Sequence, residues 1–139
     1  MDIRIYYEDT DCAGVAYYAN YLKYFERART DFLEARGLSV AKILKRGTQF
    51  LVVHAEVNYR SPARYGDTIT IVSRLASSGK ASVTFAHVIR ERSSGRLVAE
   101  GSATLVATTP EGKMKRMPPS LVKALKSPPL RNWRRKRNG

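Results

Sequence analysis

The chain has 139 residues, and 25 Lys and Arg against 12 Asp and Glu give it a formal net charge of +13. This length suits one domain with a sizeable core, and no apolar run is long enough to predict a membrane span. A single cysteine excludes an internal disulfide, and with no recognisable signal peptide we expect a cytoplasmic protein. The positive charge favours anionic ligands or surfaces without identifying one.

The first predicted elements are a strand at Ile3–Tyr7, an acidic loop and a long amphipathic helix. The helical pattern starts between Tyr17 and Asn20, with Asn20 as candidate N-cap, and it ends at Gly37 as the C′ residue. Its apolar stripe has the three-to-four spacing of a helix face and consists of Tyr21, Phe25, Ala28, Phe32 and Ala35, flanked by Leu22 and Leu33.

Strands dominate the rest of the chain, after a short helix that Ser39 caps. They are predicted, between turns rich in Gly, Ser and Pro, at Phe50–Tyr59, Thr68–Leu75, Ala81–Arg90 and Leu97–Thr109. A last short helix, Leu121–Leu125, is capped by Ser120. One long helix followed by antiparallel strands predicts an α+β fold in which the helix lies on a curved sheet. The edges of such a sheet need partners.

The acidic loop carries the candidate chemistry. Glu8, Asp9 and Asp11 place three carboxylates within four positions, followed by Gly14. Such carboxylates repel one another unless helix N-termini, hydrogen bonds or cations compensate. From the spacing alone, a capping segment with a turn glycine is the favoured interpretation.

The residues of this region nevertheless match a known pattern, Asp-x-x-Gly-[Val/Ile]-x-[Tyr/Phe/Trp]. They read Asp11-Cys-Ala-Gly-Val-Ala-Tyr17, followed by Tyr24-Phe-Glu-Arg-Ala-Arg29 and, further on, by Tyr59-Arg-Ser-Pro-Ala-Arg-Tyr-Gly-Asp67. The chain thereby resembles the 4-hydroxybenzoyl-CoA thioesterase family of hotdog-fold proteins, and most closely the bacterial acyl-CoA thioesterases associated with the Tol-Pal system. The resemblance covers nearly the whole chain except its last dozen residues. It implies a hotdog fold, with a long central helix wrapped by a curved antiparallel β-sheet, and a homodimer or homotetramer with active sites at the interface.

The resemblance also implies a mechanism, the hydrolysis of an acyl-CoA thioester to a carboxylic acid and CoA. Asp11 takes the position of the family's catalytic aspartate, as nucleophile or as general base for water. The backbone N–H of Tyr18 takes that of the oxyanion donor at the helix N-terminus. Residues expected to line the substrate site are Gly14, Val15, Tyr17 and Tyr21. No cofactor and no metal are implied, since CoA is part of the substrate.

Two positions depart from the family pattern. Many close relatives carry histidine where Tyr18 stands, which a backbone donor tolerates but which leaves the acyl preference open. Ala16 stands where a larger aliphatic residue is usual, and the smaller side chain widens the predicted acyl pocket.

Other candidates have simpler interpretations. Cys12 fits a small buried residue better than a nucleophile, and His54 and His87 fit structural or interface positions on strands. Glu26 is an alternative base, although an ion pair with Arg27 or Arg29 is favoured. Candidate contacts to the CoA phosphates are Arg60, Arg64 and Lys80, for which solvated surface charge is an equally good interpretation.

The charge pattern divides the chain into residues 1–126, the hotdog domain, and residues 127–139, a basic tail expected to be flexible. The tail is either solubilising or makes a weak contact with an anionic membrane or nucleic acid, with Trp133 as an interfacial anchor. Besides an acyl-CoA thioesterase, two function classes stay open. These are a non-catalytic hotdog module that binds acyl groups or a protein partner, and a tail-driven nucleic-acid binder.

Overall fold

A computed structural model describes residues 1–16 and 19–130. Within these residues, five strands form one antiparallel sheet in the order β1-β3-β4-β5-β2. The strands are β1 (Asp2–Arg4), β2 (Gln49–Tyr59), β3 (Thr68–Ser78), β4 (Ser82–Glu91) and β5 (Leu97–Thr108). The helices are α1 (Asn20–Glu34), α2 (Val40–Lys45) and α3 (Pro119–Leu125). No helix in this part of the chain is long and apolar enough to cross a bilayer.

The central helix α1 packs against the inner face of the curved sheet, which confirms the predicted fold class. All five residues of its predicted apolar stripe are buried. On the sheet, β4 alternates as predicted, and the side chains of Val83, Phe85, His87 and Ile89 face the core. Burial of these two apolar surfaces against each other is the main stabilising term of such a fold.

Gly101 on β5 allows α1 to approach the sheet closely. A Cβ atom at this position would collide with the carbonyl oxygen of Glu56 and would lie 2.7 Å from Cε2 of Phe25. The ring of Phe25 therefore occupies the space that any other residue at position 101 would fill. This contact fixes the height of α1 above the middle of the sheet.

The helix ends follow the sequence only in part. At Gly37, with a φ of 75°, α1 closes as predicted, and the N–H of Leu38 donates to the carbonyl of Leu33. Ser39 caps α2 by accepting from the N–H of Lys42 at 3.0 Å. The prediction of Ser120 as a cap is wrong, because α3 begins at Pro119, whose fixed φ suits the first turn of a helix.

The start of α1 and the first strand also differ from prediction. Asn20 is the first residue of α1 rather than its N-cap, and its side chain instead donates to the carbonyl of Asp9 at 3.0 Å. Strand β1 ends at Arg4, and the chain then forms a 3-10 turn at Tyr7–Asp9. The Asn20 side chain therefore links the acidic loop to α1 instead of capping this helix.

Strand β2 is the sheet edge beside β5, and it has no fully buried residue. Leu51, Val52, Val53 and Tyr59 are all exposed, and the exposed fraction of Val53 reaches 59%. A long edge strand that exposes apolar side chains is a surface for pairing with another chain.

Candidate active site

Asp11 is held by its own loop. Its N–H donates to the carbonyl of Val15 at 3.0 Å, and its carbonyl accepts from the N–H of Gly14 at 3.0 Å. Carboxylate Oδ1 accepts from the N–H of Ala13 at 2.8 Å, and Oδ2 has no hydrogen bond among the described residues. The backbone thus fixes the orientation of the carboxylate through one of its oxygens. The Asp11 side chain is exposed in a single chain.

A second loop, which contains Ala63 to Tyr65, packs against the Asp11 loop. Ala16 donates its N–H to the carbonyl of Ala63 at 2.6 Å, and Val15 forms a β-bridge with Arg64. Gly14 has a φ of 76°, a conformation that favours glycine, and its carbonyl accepts from the N–H of Tyr65 at 3.3 Å. The predicted site residues Asp11, Gly14, Val15 and Arg64 are therefore neighbours.

Tyr21 lies in the first turn of α1 beneath these loops. It is buried, its hydroxyl oxygen accepts a long hydrogen bond of 3.4 Å from the N–H of Ala63, and burial raises the pKa of its phenol. A neutral, buried tyrosine supports the site rather than supplying an acid or base. Tyr17 and Tyr18, the remaining predicted residues of this region, lie outside the described residues.

An apolar groove of about 880 Å³ lies between α1, α2 and the strands β2, β4 and β5. Its walls are mainly aliphatic and aromatic and include Leu22, Phe25, Leu33, Ile43, Leu44, Phe50, Val52, Phe85 and Leu105. Asp11 is not among the described residues that line it. We call this cavity the acyl groove, because a cavity of such size and polarity suits an acyl chain or an aromatic ring.

Polar groups of the acyl groove come from α1 and from the start of β2. Glu26 and Arg29 line it on the helix side, where burial lowers the pKa of the Arg29 guanidinium and the nearby Glu26 carboxylate raises it. Of its two predicted partners, Glu26 therefore interacts electrostatically with Arg29. The Arg27 guanidinium instead lies 5.9 Å from the centre of the Tyr24 ring. Thr48 also lines the groove with a buried hydroxyl.

The two histidines and the cysteine have different environments. His87 is buried and stacked on Phe25, and its Nδ1 is 2.7 Å from the hydroxyl of Ser73. Burial, with the charge of Arg29 adding to it, lowers the pKa of His87 to about 4. His54 is exposed and lies 2.7 Å from the Glu56 carboxylate. Cys12 is also exposed, so the expectation of a buried cysteine is wrong, because the Asp11 turn directs residues 11–14 to solvent.

The candidate phosphate contacts are not all in one place. Arg60 forms an ion pair of 2.6 Å with Glu100, and Arg64 is exposed beside the Asp11 loop. Lys80 lies beyond the other end of β3, and a strand of 11 residues, at about 3.3 Å each, spans roughly 35 Å. Within one chain, Lys80 therefore does not approach Asp11.

The sequence predicted an acyl pocket near Ala16 but not the position of the acyl groove, which Ala16 does not line. Lys23 and Thr30 lie outside the predicted apolar stripe of α1, yet both line the groove. The available signal was Leu22 and Leu33, which extend the apolar stripe toward one side of the helix. Which strand this side would face depends on the tertiary fold, so the sequence pattern alone could not define the groove.

Comparisons with known proteins place the chain in a family. Residues 6–125 match the model of the thioesterase-like superfamily. The acyl-CoA thioester hydrolase YbgC of Escherichia coli O6:H1 is 33% identical over 125 residues, which cover 89% of this chain and 92% of that protein.

Solved structures give the same result. A hypothetical protein from Thermus thermophilus aligns with a TM-score of 0.83 and 32% identity over 90% of this chain and 95% of that one. The DHNA-CoA thioesterase from Staphylococcus aureus aligns with a TM-score of 0.84 and 26% identity, over 89% of this chain and 85% of that one. The predicted hotdog fold and the predicted thioester-hydrolase class are confirmed, while the association with the Tol-Pal system stays a prediction. The chain belongs to the thioesterase-like superfamily.

Proposed function

We propose that the protein is an acyl-CoA thioesterase that hydrolyses the thioester to a carboxylic acid and CoA. The observation that carries this proposal is the Asp11 turn, in which backbone hydrogen bonds orient a carboxylate shortly before the start of α1. The activities of two similar proteins agree with it, since one is an acyl-CoA thioester hydrolase and the other a DHNA-CoA thioesterase.

Asp11 is the proposed catalytic residue, and two routes are open to it. As general base it takes a proton from water, which adds to the carbonyl carbon, after which the C–S bond breaks and CoA leaves as the thiolate. As nucleophile an Asp11 carboxylate oxygen attacks the same carbon, the C–S bond breaks with release of the CoA thiolate, and water then hydrolyses the resulting anhydride. After a single turnover in ¹⁸O-labelled water, label on Asp11 would identify the nucleophilic route, because only an anhydride opened at the enzyme carbonyl leaves the label there.

The proposed oxyanion donor is the backbone N–H of Tyr18. This residue precedes the first residue of α1 by two positions in the sequence, next to the positive end of the helix dipole. Donors of this kind, together with the helix dipole, stabilise the negative charge that develops on the thioester oxygen. Gly14, Val15, Tyr17 and Tyr21 are proposed to form the surrounding substrate site.

We propose that a second copy of the chain completes the site. Two observations support this, the exposed apolar edge strand β2 and the acyl groove, which opens between that strand and α1. Pairing through β2 would cover the edge, and it would allow Asp11 of one copy to approach the groove of the other. The choice between dimer and tetramer stays open.

Sedimentation of the full chain tests this assembly. Val53→Glu places a charge on the exposed edge, and we expect it to convert the oligomer to monomer and to abolish hydrolysis. Arg74→Glu, on the exposed side of β3, is the matched surface control and should do neither. A wild-type monomer with full activity would contradict the proposal.

Arg60, Arg64 and Lys80 remain the proposed contacts for CoA phosphates, with Lys80 supplied by another subunit because of its distance from Asp11. We propose that no cofactor or metal takes part, since the chemistry requires only a carboxylate, backbone donors and water. We also propose a cytoplasmic location, where CoA thioesters would be available as substrates.

The test is release of CoA thiol from a panel of short-chain, long-chain and aromatic acyl-CoA substrates by the purified full chain. We expect multiple turnovers on at least one acyl class, and the preferred class identifies the acyl group. Tight binding of acyl-CoA without turnover would contradict the proposal and support the non-catalytic module, for which the exposure of Asp11 in one chain is the favouring observation.

A further inference from the structure

The positive charge of the protein is concentrated at its C-terminal end. Residues 112–139 contain ten of the 25 Lys and Arg and no Asp or Glu. The fold adds Lys80 to this region, because the N–H of Met117 donates to the Lys80 carbonyl at 2.9 Å. Cations from two separate parts of the sequence therefore share one surface.

These cations surround a shallow groove of about 530 Å³ between the β3–β4 turn and α3. Lys80, Arg116, Lys123 and Lys126 line it together with the aliphatic residues Pro119 and Val122, and no acidic residue is among its lining. We call it the basic groove. Four cations around one concave surface repel one another, and an anionic partner relieves that repulsion.

The last described residues of the chain lie close to the basic groove. Arg36 donates to the Ser127 carbonyl at 2.8 Å, and the Leu130 N–H donates to the carbonyl of Ala35 at 2.8 Å. Leu130 is four residues beyond Lys126 and so lies at most about 14 Å from it. The remaining predicted tail, residues 131–139, adds five basic residues in sequence and lies outside the described residues.

We propose that the basic groove docks the protein on a bilayer that contains anionic lipid. Exposed apolar side chains lie close in sequence to these cations, since Met114, two residues before Arg116, and Leu130, four residues after Lys126, are 71% and 54% exposed. Cations meet headgroup phosphates while apolar side chains enter the acyl boundary, which is how peripheral proteins bind anionic membranes.

A nucleic acid is the less favoured partner. Single-stranded nucleic acid is bound by aromatic side chains on which the bases stack. Among the described residues, the lining of the basic groove combines cations with aliphatic side chains and contains no aromatic ring. The combination of aliphatic side chains and cations suits a lipid interface better than a stack of bases.

Co-sedimentation of the full chain with vesicles tests the proposal. We expect binding to vesicles of phosphatidylglycerol and phosphatidylcholine, no binding to phosphatidylcholine alone, and release at high salt. Lys123→Gln/Lys126→Gln should weaken binding about 30-fold, since each cation near the surface contributes roughly a factor of five. A chain ending at Leu130 should also bind more weakly.

Arg74→Glu is the matched control, because it reduces the net charge by the same two units outside the basic groove. It should bind within a few-fold of wild type, and all variants should keep the wild-type unfolding temperature. Equal losses in the control and in the double variant would overturn the proposal, as would truncation that abolishes binding while the double variant binds normally. Tighter binding to RNA or duplex DNA than to the anionic vesicles would overturn it in favour of a nucleic-acid partner.

Discussion

The ring of Phe25 on α1 stacks on the imidazole of His87 on β4, with centroids 4.5 Å apart and planes inclined by 15°. The edge of the same ring occupies the space above Gly101 on β5. One side chain thus connects the central helix to two neighbouring strands. This contact positions α1, and with α1 both the Asp11 loop and the acyl groove.

Gly101→Ala is expected to destabilise the protein. The added methyl group would collide with the Glu56 carbonyl and with Phe25, and such overpacking costs about 1–3 kcal/mol. Thermal unfolding at fixed protein concentration measures the effect. Ser102→Ala, on the next residue of β5, is the control and should unfold near the wild-type temperature. An unchanged unfolding midpoint for Gly101→Ala would contradict this prediction, because it would show that the sheet accommodates the methyl group without loss of stability.

His87 should make stability depend on pH. Its pKa of about 4 lies below the ordinary value of 6.5, so the unfolded chain takes up the proton first as pH falls. The stability that neutral His87 contributes is complete above pH 6.5 and is lost progressively down to about pH 4. The full loss is on the order of 3 kcal/mol.

Denaturant unfolding across this range measures that loss. His87→Phe keeps a ring between Phe25 and Phe85 and should flatten the dependence between pH 6.5 and 4. His54→Gln replaces an exposed histidine and should leave the slope as it is in the wild type. A wild-type slope in His87→Phe would assign the pH dependence to another group.

Thr48→Val should stabilise the protein. Thr48 is 2% exposed, and its hydroxyl has no hydrogen-bond partner among the described residues. Burial of such a group costs about 1 kcal/mol or more, and valine has nearly the same shape. Thr84→Val is the control and should destabilise the protein, because the Thr84 hydroxyl lies 2.9 Å from that of Thr104 and the substitution removes this hydrogen bond. Equal destabilisation in both variants would mean that Thr48 has a partner in solution, such as water.

The parts of the fold that follow from local periodicity could be predicted from the sequence. The stripe of α1 and the alternation of β4 have one buried face each, so the spacing of Phe25 or of His87 identifies it. The start of α3 could not be predicted in this way, because Ser120 and Pro119 both suit a first turn and their packing decides between them. The Asn20 side chain likewise binds the acidic loop through a contact set by the tertiary fold.

The candidate site likewise has one part that follows from the local sequence and one part that depends on the tertiary fold. Asp11, Gly14 and Val15 are close in sequence, so their proximity follows from one turn, whereas Arg64 joins them only through loop packing. The acyl groove depends on how α1, α2 and three strands assemble. A short motif can therefore indicate the chemistry of this chain but not the shape of the cavity beside it.

The central claim is that Asp11 performs the hydrolysis, and steady-state turnover of the preferred acyl-CoA by Asp11→Asn tests it most directly. The substitution keeps the size of the side chain and removes its basicity and nucleophilicity, so we expect kcat to fall about 10²–10⁴-fold while KM changes little. Glu26→Gln, which neutralises the alternative base on α1, should retain activity within a few-fold of wild type. Full activity in Asp11→Asn, or its loss in Glu26→Gln instead, would contradict the account.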